Sequence, residues 1–509
     1  MTSKKTLMFL LVLSLSVYSR RAAGMSLQLP REAAPPKFRT VFPKTPPPMT
    51  EEHRVKKMSE SSAAPRSLAY ADDRWSPMTS AFGNYEEVSD ATIRVLEKGV
   101  SKTWEVESPV TFKYRVSEEK DLWNFERSDA LLFGHLDEEA QRADAERFLL
   151  TGKRRRLVFV DETVYRLHGD VVERYFKEAK ESGALTSYEI VPLVCSEASK
   201  NLALLEHVVQ KMSEFNVERK VEPVLAVGGG VCLDVVGLAS SLYRRKTPYI
   251  RIPTTLLSYV DASVGAKTGV NFEGAKNRLG AYVPPAAAFL STQFLGTEDR
   301  RATISGVAEI MKMALVKSPR LFHLLETNGA QFVQESFAER SPERDEILQL
   351  AISTMLEELA PNLWEHRLDR LVDFGHVFGI VLEMSVLDDQ ETDEDDPPVT
   401  HGESVAIDMA FSTVFSAHCG HITIEERDRI LDAMRSCGLP TYHPRLDRPL
   451  IQEAITERLG HALKPRLPLP TKIGKANIFN DIDLDSLHDA YAVYKTLCEN
   501  DKYPHFVPV

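Results

Sequence analysis

Five short apolar runs, each separated from the next by a helix-like segment, fill the stretch from Pro109 to Thr297: RLVFVDE, YEIVPLV, PVLAVGGG, YIRIPTT and AAFLST. Strands of that length joined by helices require crossover connections, so the expected architecture there is a mostly parallel sheet with helices packed on it. From Ile304 onward the pattern changes. SGVAEIMKMALV, RDEILQLAISTMLEEL, SVAIDMAFSTVFSAH and IEERDRILDAMRSC carry apolar residues at helical spacing, and strand signals disappear. The reading is an α/β N-terminal domain over residues 76–300 and an all-α C-terminal domain over 301–509. A chain of 509 residues is long enough to bury both cores. No internal repeat is visible.

The first 24 residues read differently. MTSKKTLMFLLVLSLSVYSRRAAG has two lysines, an apolar run of about a dozen residues and then small residues, the pattern of a signal-like leader too short to span a bilayer. Residues 25–75, rich in Pro, Ala, Lys and Arg, carry no periodicity and read as a disordered targeting or linker segment. Together they suggest a plastid or secretory route, with cytoplasmic residence as the alternative. No other segment looks transmembrane. A formal net charge of −12 without a basic stripe argues against a nucleic-acid partner. The five cysteines are scattered and form neither a disulfide framework nor a CxxC metal site. The acidic run DDQETDEDDPP, Asp388 to Pro398, reads as a solvated loop without the spacing of a calcium site.

Chemistry-bearing residues gather in a few places. PVLAVGGGVCLDVVGLASSLY is strand, glycine turn, helix; Gly228, Gly229 and Gly230 permit close approach of a pyrophosphate, although such turns also occur without a ligand and the spacing is not GxGxxG. Asp261, Lys267, Lys276 and Asn277 crowd an irregular stretch suited to a phosphorylated ligand, or to an ordinary lysine-bearing loop. Glu309, His376 and His401 come from three apolar helical segments and form a suitable zinc donor set, though each alone is more often a paired core residue. The segment RLDRLVDFGHVFGIVLEM, Arg367 to Met384, reads as one helix with Asp369, Asp373, His376 and Ile380 on one face, turned to a metal, a substrate or water.

Read together and in order, SEASKN, GGGVCLD, PTTLL, DASVGAKTGVN, KNRLGAY, GVAEIMK, DFGHVFG and HGESVAIDMA resemble the sugar phosphate cyclases, the superfamily of dehydroquinate synthase. The resemblance runs from about residue 155 to the C-terminus. It implies an N-terminal NAD-binding domain and a C-terminal helical metal domain. Zinc, or cobalt, would be held by Glu309, His376 and His401. NAD would be held by Asp161, Glu197, Lys200, Gly229, Gly230, Asp234, Thr254, Thr255, Lys276 and Thr297, with Lys267 between cofactor and substrate. Asp261, Asn277 and Lys312 would join Lys267 around the reacting sugar. Arg245 matches a family arginine that reaches a neighbouring subunit's phosphate, which implies a homodimer. The implied chemistry is transient oxidation by NAD, elimination of phosphate, reduction, ring opening and intramolecular aldol closure.

The resemblance also locates departures. Where dehydroquinate synthase has a lysine and an arginine for its substrate's carboxylate, this chain has Met355 and Asp369; an asparagine has become Asp373 and a histidine Ile380. Exchange of an arginine for Asp beside a carboxylate replaces attraction by repulsion, roughly several kcal/mol at low dielectric. The expected substrate is therefore not an anionic keto-acid but a neutral sugar whose hydroxyls meet Asp369 and Asp373, namely sedoheptulose 7-phosphate. Leu359, Asp373 and His461 match the branch that forms 2-epi-5-epi-valiolone rather than the one that forms desmethyl-4-deoxygadusol. A 3-dehydroquinate synthase and a metal-dependent polyol dehydrogenase are the further alternatives.

Overall fold

The computed structural model describes residues 67–68, 85–86, 92–98, 101–107, 111–133, 151–219, 221–387, 399–462 and 464–499. The leader, nearly all of the Pro-rich segment and the acidic run 388–398 lie outside the described residues. Two short antiparallel sheets built from residues between Ser67 and Phe112 precede the main sheet; no strand is expected there from the sequence pattern.

Each of the five apolar runs is a strand. With β1 (Arg115–Glu118), they are β2 (Arg155–Asp161), β3 (Ser187–Leu193), β4 (Val224–Gly228), β5 (Tyr249–Pro253) and, later in the chain, Ala287–Leu290. Between them run helices α1 (Glu162–Glu181), α2 (Leu202–Glu214) and α3 (Gly230–Leu242). An antiparallel hairpin, β6 (Lys267–Phe272) with β7 (Ala275–Tyr282), precedes the last strand, now β8. All pairings in the main sheet are parallel, in the order β1-β8-β5-β4-β2-β3. Strands β4 and β5 are buried along their whole length, which is why they read as unbroken apolar runs and not as alternation. One core packs α1 against the sheet through Tyr175, Phe176 and Phe294; another packs α2 and α3 through Val208, Met212, Val235 and Val236.

The order of connection sets the position of the site. From β2 the chain moves outward to β3, then returns past β2 to β4. The carboxyl ends of β2 and β4, at Asp161 and Gly228, flank that reversal, and open α/β sheets bind ligands in such crevices.

The second half is helical: α4 (Arg300–Val316), α5 (Pro319–Gln334), α6 (Pro342–Leu359), α7 (Phe378–Leu387), α8 (His401–His418), α9 (Ile424–Ser436), α10 (Arg448–Ala462) and α11 (Leu484–Cys498). Helices α4 and α8 lie at its centre; α4 is buried from Val307 to Val316 and α8 from Gly402 to Ser416, so both are apolar nearly all round. They touch at Gly402, where a Cβ would fall 2.3 Å from Ser305 Cα. No described helix is long and apolar enough to cross a membrane.

Two expectations are corrected. Strand signals do not end at Ile304: β9 (Leu467–Lys472) and β10 (Lys475–Phe479) form a hairpin turning at Gly474, φ +79°. Its two prolines weaken the strand pattern, and a two-stranded ribbon tolerates them because it has free edges. The stretch from Arg367 to Met384 is not one helix. It holds a single 3-10 turn at Leu371–Asp373, and α7 starts only at Phe378. Gly375, at φ +80°, lies in the left-handed region between them, so the assumed one-face alignment of Asp369, Asp373 and His376 does not exist.

Candidate active site

Helix α4 supplies Glu309, the coil before α7 supplies His376, and the first residue of α8 is His401. Their ligand atoms all lie within 4.8 Å of one another. Glu309 is completely buried, and both histidine Nε2 atoms stand 3.7 Å from its Oε1. That oxygen has no hydrogen-bond partner, a costly state for a buried carboxylate unless a cation meets it. Ligands around a tetrahedral zinc ion lie roughly 3.3 Å apart, so the two histidine–glutamate spans need to shorten by only about 0.4 Å to fit one.

Both imidazoles are held by their other nitrogen. His376 Nδ1 lies 3.1 Å from the Phe374 carbonyl, which can only accept. His401 Nδ1 lies 3.0 Å from Glu383 Oε2. Donation from each Nδ1–H leaves both Nε2 lone pairs facing Glu309, the arrangement that supports metal-bound histidines. Burial, then Lys312 and His401, pushes His376 well below the usual histidine range, so it is neutral at pH 7. Burial pushes Glu309 up, but Lys312 and His401 outweigh it and keep the carboxylate ionised. Neutral imidazoles and an anionic carboxylate are the forms that ligate.

The cluster opens onto a cleft of about 1920 Å3 that continues to the carboxyl ends of β2 and β4. There a Cβ on Gly228 would strike Cys232 at 2.6 Å, so packing demands that glycine. Gly229 and Gly230 are different: a Cβ on either would meet nothing closer than 3.4 Å, and packing leaves that space to a ligand. Gly229 is the N-cap of α3 and offers no side chain to its free N–H groups, which suits an anion such as a pyrophosphate. Lys200, buried, ties the flanks together by donating to Asp234 Oδ2 and Asn277 Oδ1 at 2.7 Å each. Asp161 Oδ1 accepts from Thr163 N and Val164 N, capping α1 at the cleft mouth. Thr297 Oγ1 lies 2.7 Å from His168 Nε2.

Asp161, Glu197, Lys200, Gly229, Gly230, Asp234, Thr254, Thr255, Lys276 and Thr297 all line this cleft. So do Asp261, Lys267, Asn277, Lys312, Asp369 and Asp373. Arg245 does not; it is exposed on the loop after α3. His461 falls in the last turn of α10, and its side chain lies outside the described residues.

The sugar end departs from expectation in its charges. Asp373 is not a bare acid: Arg370 Nη2 donates to it at 2.6 Å and Arg458 Nη1 stands 3.7 Å away. Burial alone would raise its pKa, and the two arginines bring it below the usual value. Asp369 is 64% exposed and lies 3.2 Å from Arg466 Nε. The repulsion expected from the two acids is thus replaced by acid–arginine pairs, of which the one at Asp373 serves a buried carboxylate that needs a partner. What remains of the specificity argument is the missing cation at Met355, buried, and the apolar Ile380, both on the cleft wall.

Several residues escape the sequence reading. Glu365 contacts both Lys267 and Arg370 and accepts from Tyr282 Oη at 2.9 Å. Glu383 braces His401, and Asp408 accepts from Val377 N, Phe378 N and Gly379 N at 2.7–2.9 Å. A signal for the last two exists. Each is an acid inside an apolar helix, seven residues after His376 and His401 respectively, Glu383 alone on its helix and Asp408 joined only by Glu403 in the first turn. For Arg370, Arg458 and Glu365 we find no local signal.

Comparison with known proteins agrees with this geometry. The 3-dehydroquinate synthase N-terminal family model matches residues 190–305, and the 3-dehydroquinate synthase C-terminal model matches residues 306–459. A 2-epi-5-epi-valiolone synthase of Actinoplanes sp. is 39% identical over 78% of this chain and 94% of its own length. A demethyl-4-deoxygadusol synthase of Trichormus variabilis is 38% identical over 68% of this chain and 82% of its own. The solved structure of ValA, the 2-epi-5-epi-valiolone synthase of Streptomyces hygroscopicus subsp. jinggangensis 5008 with NAD+ and Zn2+ bound, matches with a TM-score of 0.68 and 38% identity, covering 77% of this chain and 100% of that one. The chain belongs to the 3-dehydroquinate synthase-like family of cyclases.

Proposed function

We propose that within this family the chain acts as a 2-epi-5-epi-valiolone synthase, a carbon–oxygen lyase that cyclises sedoheptulose 7-phosphate with loss of phosphate. One observation carries the reading. A Glu–His–His cluster with a fully buried carboxylate and an uncapped helix N-terminus open onto one cleft, in a chain 38% identical to a valiolone synthase holding NAD+ and Zn2+.

When bound, zinc on Glu309, His376 and His401 would supply Lewis-acid polarisation of a substrate hydroxyl, and NAD at the α3 N-terminus would supply transient hydride storage. The chain's own residues do the rest. The N–H groups after Gly229 bind the pyrophosphate, and Asp161, whose carboxylate retains acceptor capacity, receives ribose hydroxyls. Lys312 Nζ, held between Glu309 and Asp261, stays protonated beside the reacting carbons. Lys267, more than half exposed to the cleft, with its pKa lowered to about 8 by the protein crowding around it and then by Arg370, offers an ammonium to the phosphate and a proton near neutrality. Arg245 stands in a loop where Arg244, Arg245 and Lys246 all have positive φ, 51°, 60° and 87°. That strained presentation, away from its own cleft, suits an arginine that completes a partner's phosphate site in a homodimer.

The decisive experiment incubates the purified protein with sedoheptulose 7-phosphate, catalytic NAD+ and zinc, then identifies the cyclitol by mass and NMR. The expected product is 2-epi-5-epi-valiolone with no accumulation of NADH. Formation of desmethyl-4-deoxygadusol moves the chain to the sister branch. Turnover of the shikimate-route keto-acid phosphate in place of the heptulose overturns the reading.

A further inference from the structure

Glu383 stands on α7, its side chain 2% exposed, with each carboxylate oxygen committed to a different site. Oε2 lies 3.0 Å from His401 Nδ1, at the metal cluster. Oε1 contacts Lys276 Nζ, on the cofactor side of the cleft. Lys276 also stands 3.4 Å from His401 Nδ1 and 3.9 Å from Glu197 Oε1, itself held by Asn271 Nδ2 at 2.8 Å. Lys276 and Glu383 therefore compete for the same imidazole nitrogen.

The competition has two outcomes. If Nδ1 carries the proton, it donates to Glu383, and Nε2 turns a lone pair toward Glu309. If Lys276 donates to Nδ1, the proton sits on Nε2 and blocks a metal. Lys276 has only donors to give and Glu383 only acceptors, so the position of the ammonium selects the tautomer. A ligand that draws Lys276 toward Glu197 and the cleft leaves Nδ1–H to Glu383.

We propose that Glu383 is a positioning residue that couples the two halves of the site, so that occupancy of the dinucleotide cradle tightens metal binding through Lys276, Glu383 and His401. The inference rests on the NAD-and-zinc reading above. Linkage makes it reciprocal: zinc must tighten NAD by the same factor.

The test uses the full chain stripped of metal, with zinc affinity measured by chelator competition with and without saturating NAD+. The expected result is about a fivefold or larger gain in zinc affinity with NAD+. E383Q, which can neither neutralise Lys276 nor choose one tautomer, should weaken zinc by about tenfold and bring the coupling factor to one. If E383Q fails to melt cooperatively, K276Q serves instead, with NAD+ raised until binding to the variant is saturated; it removes the competing cation, retains zinc binding and must also abolish coupling. Zinc and NAD+ that bind independently in the wild type, or wild-type coupling in E383Q or K276Q, overturns the proposal alone. A chain that binds neither zinc nor NAD+ overturns the function reading and this one with it.

Discussion

Lys267 shows how much a single residue's surroundings change its chemistry. In the sequence it is one of two lysines in a glycine-rich stretch. In the fold its ammonium meets Glu365 and remains more than half exposed to the open cleft, while the protein crowding that cleft, then Arg370, lowers its pKa to about 8 from 10.5. If the charged form holds the substrate phosphate, binding is complete below about pH 7 and lost as pH rises through 8. We expect kcat/KM for the sugar phosphate to fall roughly tenfold per unit above pH 8, through KM more than kcat. Replacement by arginine keeps the charge, so K267R should move that limb above about pH 10 even if its maximal rate is lower. A wild-type KM flat from pH 7 to 9 would remove Lys267 from phosphate binding. The residues named from the sequence for cofactor and metal do converge on one cleft and its Glu–His–His cluster. The sequence was a poor guide to charge: Asp373 is paired by Arg370, three residues before it but aligned only by the 3-10 turn, and by Arg458, 85 residues downstream.

The metal site depends on how α7 begins. Helix N-termini leave N–H groups without partners, and this one has no capping side chain of its own nearby. Asp408, on α8, fills that role from about 30 residues away: Oδ2 accepts from Val377 N, Phe378 N and Gly379 N, while Oδ1 accepts from Ser412 Oγ at 2.8 Å. The anion is well placed against the positive end of the helix. It also anchors the residue directly after His376 to the helix that starts with His401. D408A leaves three buried N–H groups without acceptors and should cost about 3–5 kcal/mol, read as a lowered melting temperature. D408N keeps one acceptor oxygen and should cost roughly half as much. In both, zinc affinity should fall in parallel with stability; unchanged zinc binding in a destabilised D408A would separate the cap from the site. Elements whose partners are local were legible: strands β2 to β5 and helices α4, α6, α8 and α9 follow apolar periodicity. The break at Gly375 was not, since a long apolar pattern outvotes one glycine until the φ it adopts is known, and the hairpin at Gly474 was not, since Pro468 and Pro470 blur its strand pattern. For the long-range cap, local pattern shows an acid on an apolar helix but not which N–H groups it meets.

At the scale of the whole molecule two joints matter, one within the chain and one proposed between chains. Within the chain, Glu298 precedes α4 and accepts from Leu256 N, just beyond β5, at 3.1 and 3.2 Å, and from Thr303 Oγ1 at 3.3 Å. Burial, against those hydrogen bonds, raises its pKa to about 8 from 4.5, with Asp299 adding to the rise. The unfolded chain releases this proton near pH 4.5 and the folded one near 8, so folded stability falls as pH rises between those values and levels off above. Relative to E298Q, which has no proton to lose, the wild type should lose on the order of 2–4 kcal/mol between pH 5 and 8. Parallel melting curves for the two proteins across that range would refute it. Between chains, an arginine that lies outside its own cleft yet serves catalysis must serve another copy's. R245A should then be inactive although every residue lining its own cleft is intact, and H376A should be inactive for loss of a metal ligand. A mixed dimer pairs the intact metal cluster of the R245A subunit with the intact arginine of the H376A subunit, leaving one functional site in two. Random reassortment after mild unfolding and refolding makes half the dimers mixed, so activity should recover to about a quarter of wild type. Recovery absent from mixtures that reassort would confine Arg245 to its own subunit, because a surface arginine acting locally cannot repair its neighbour.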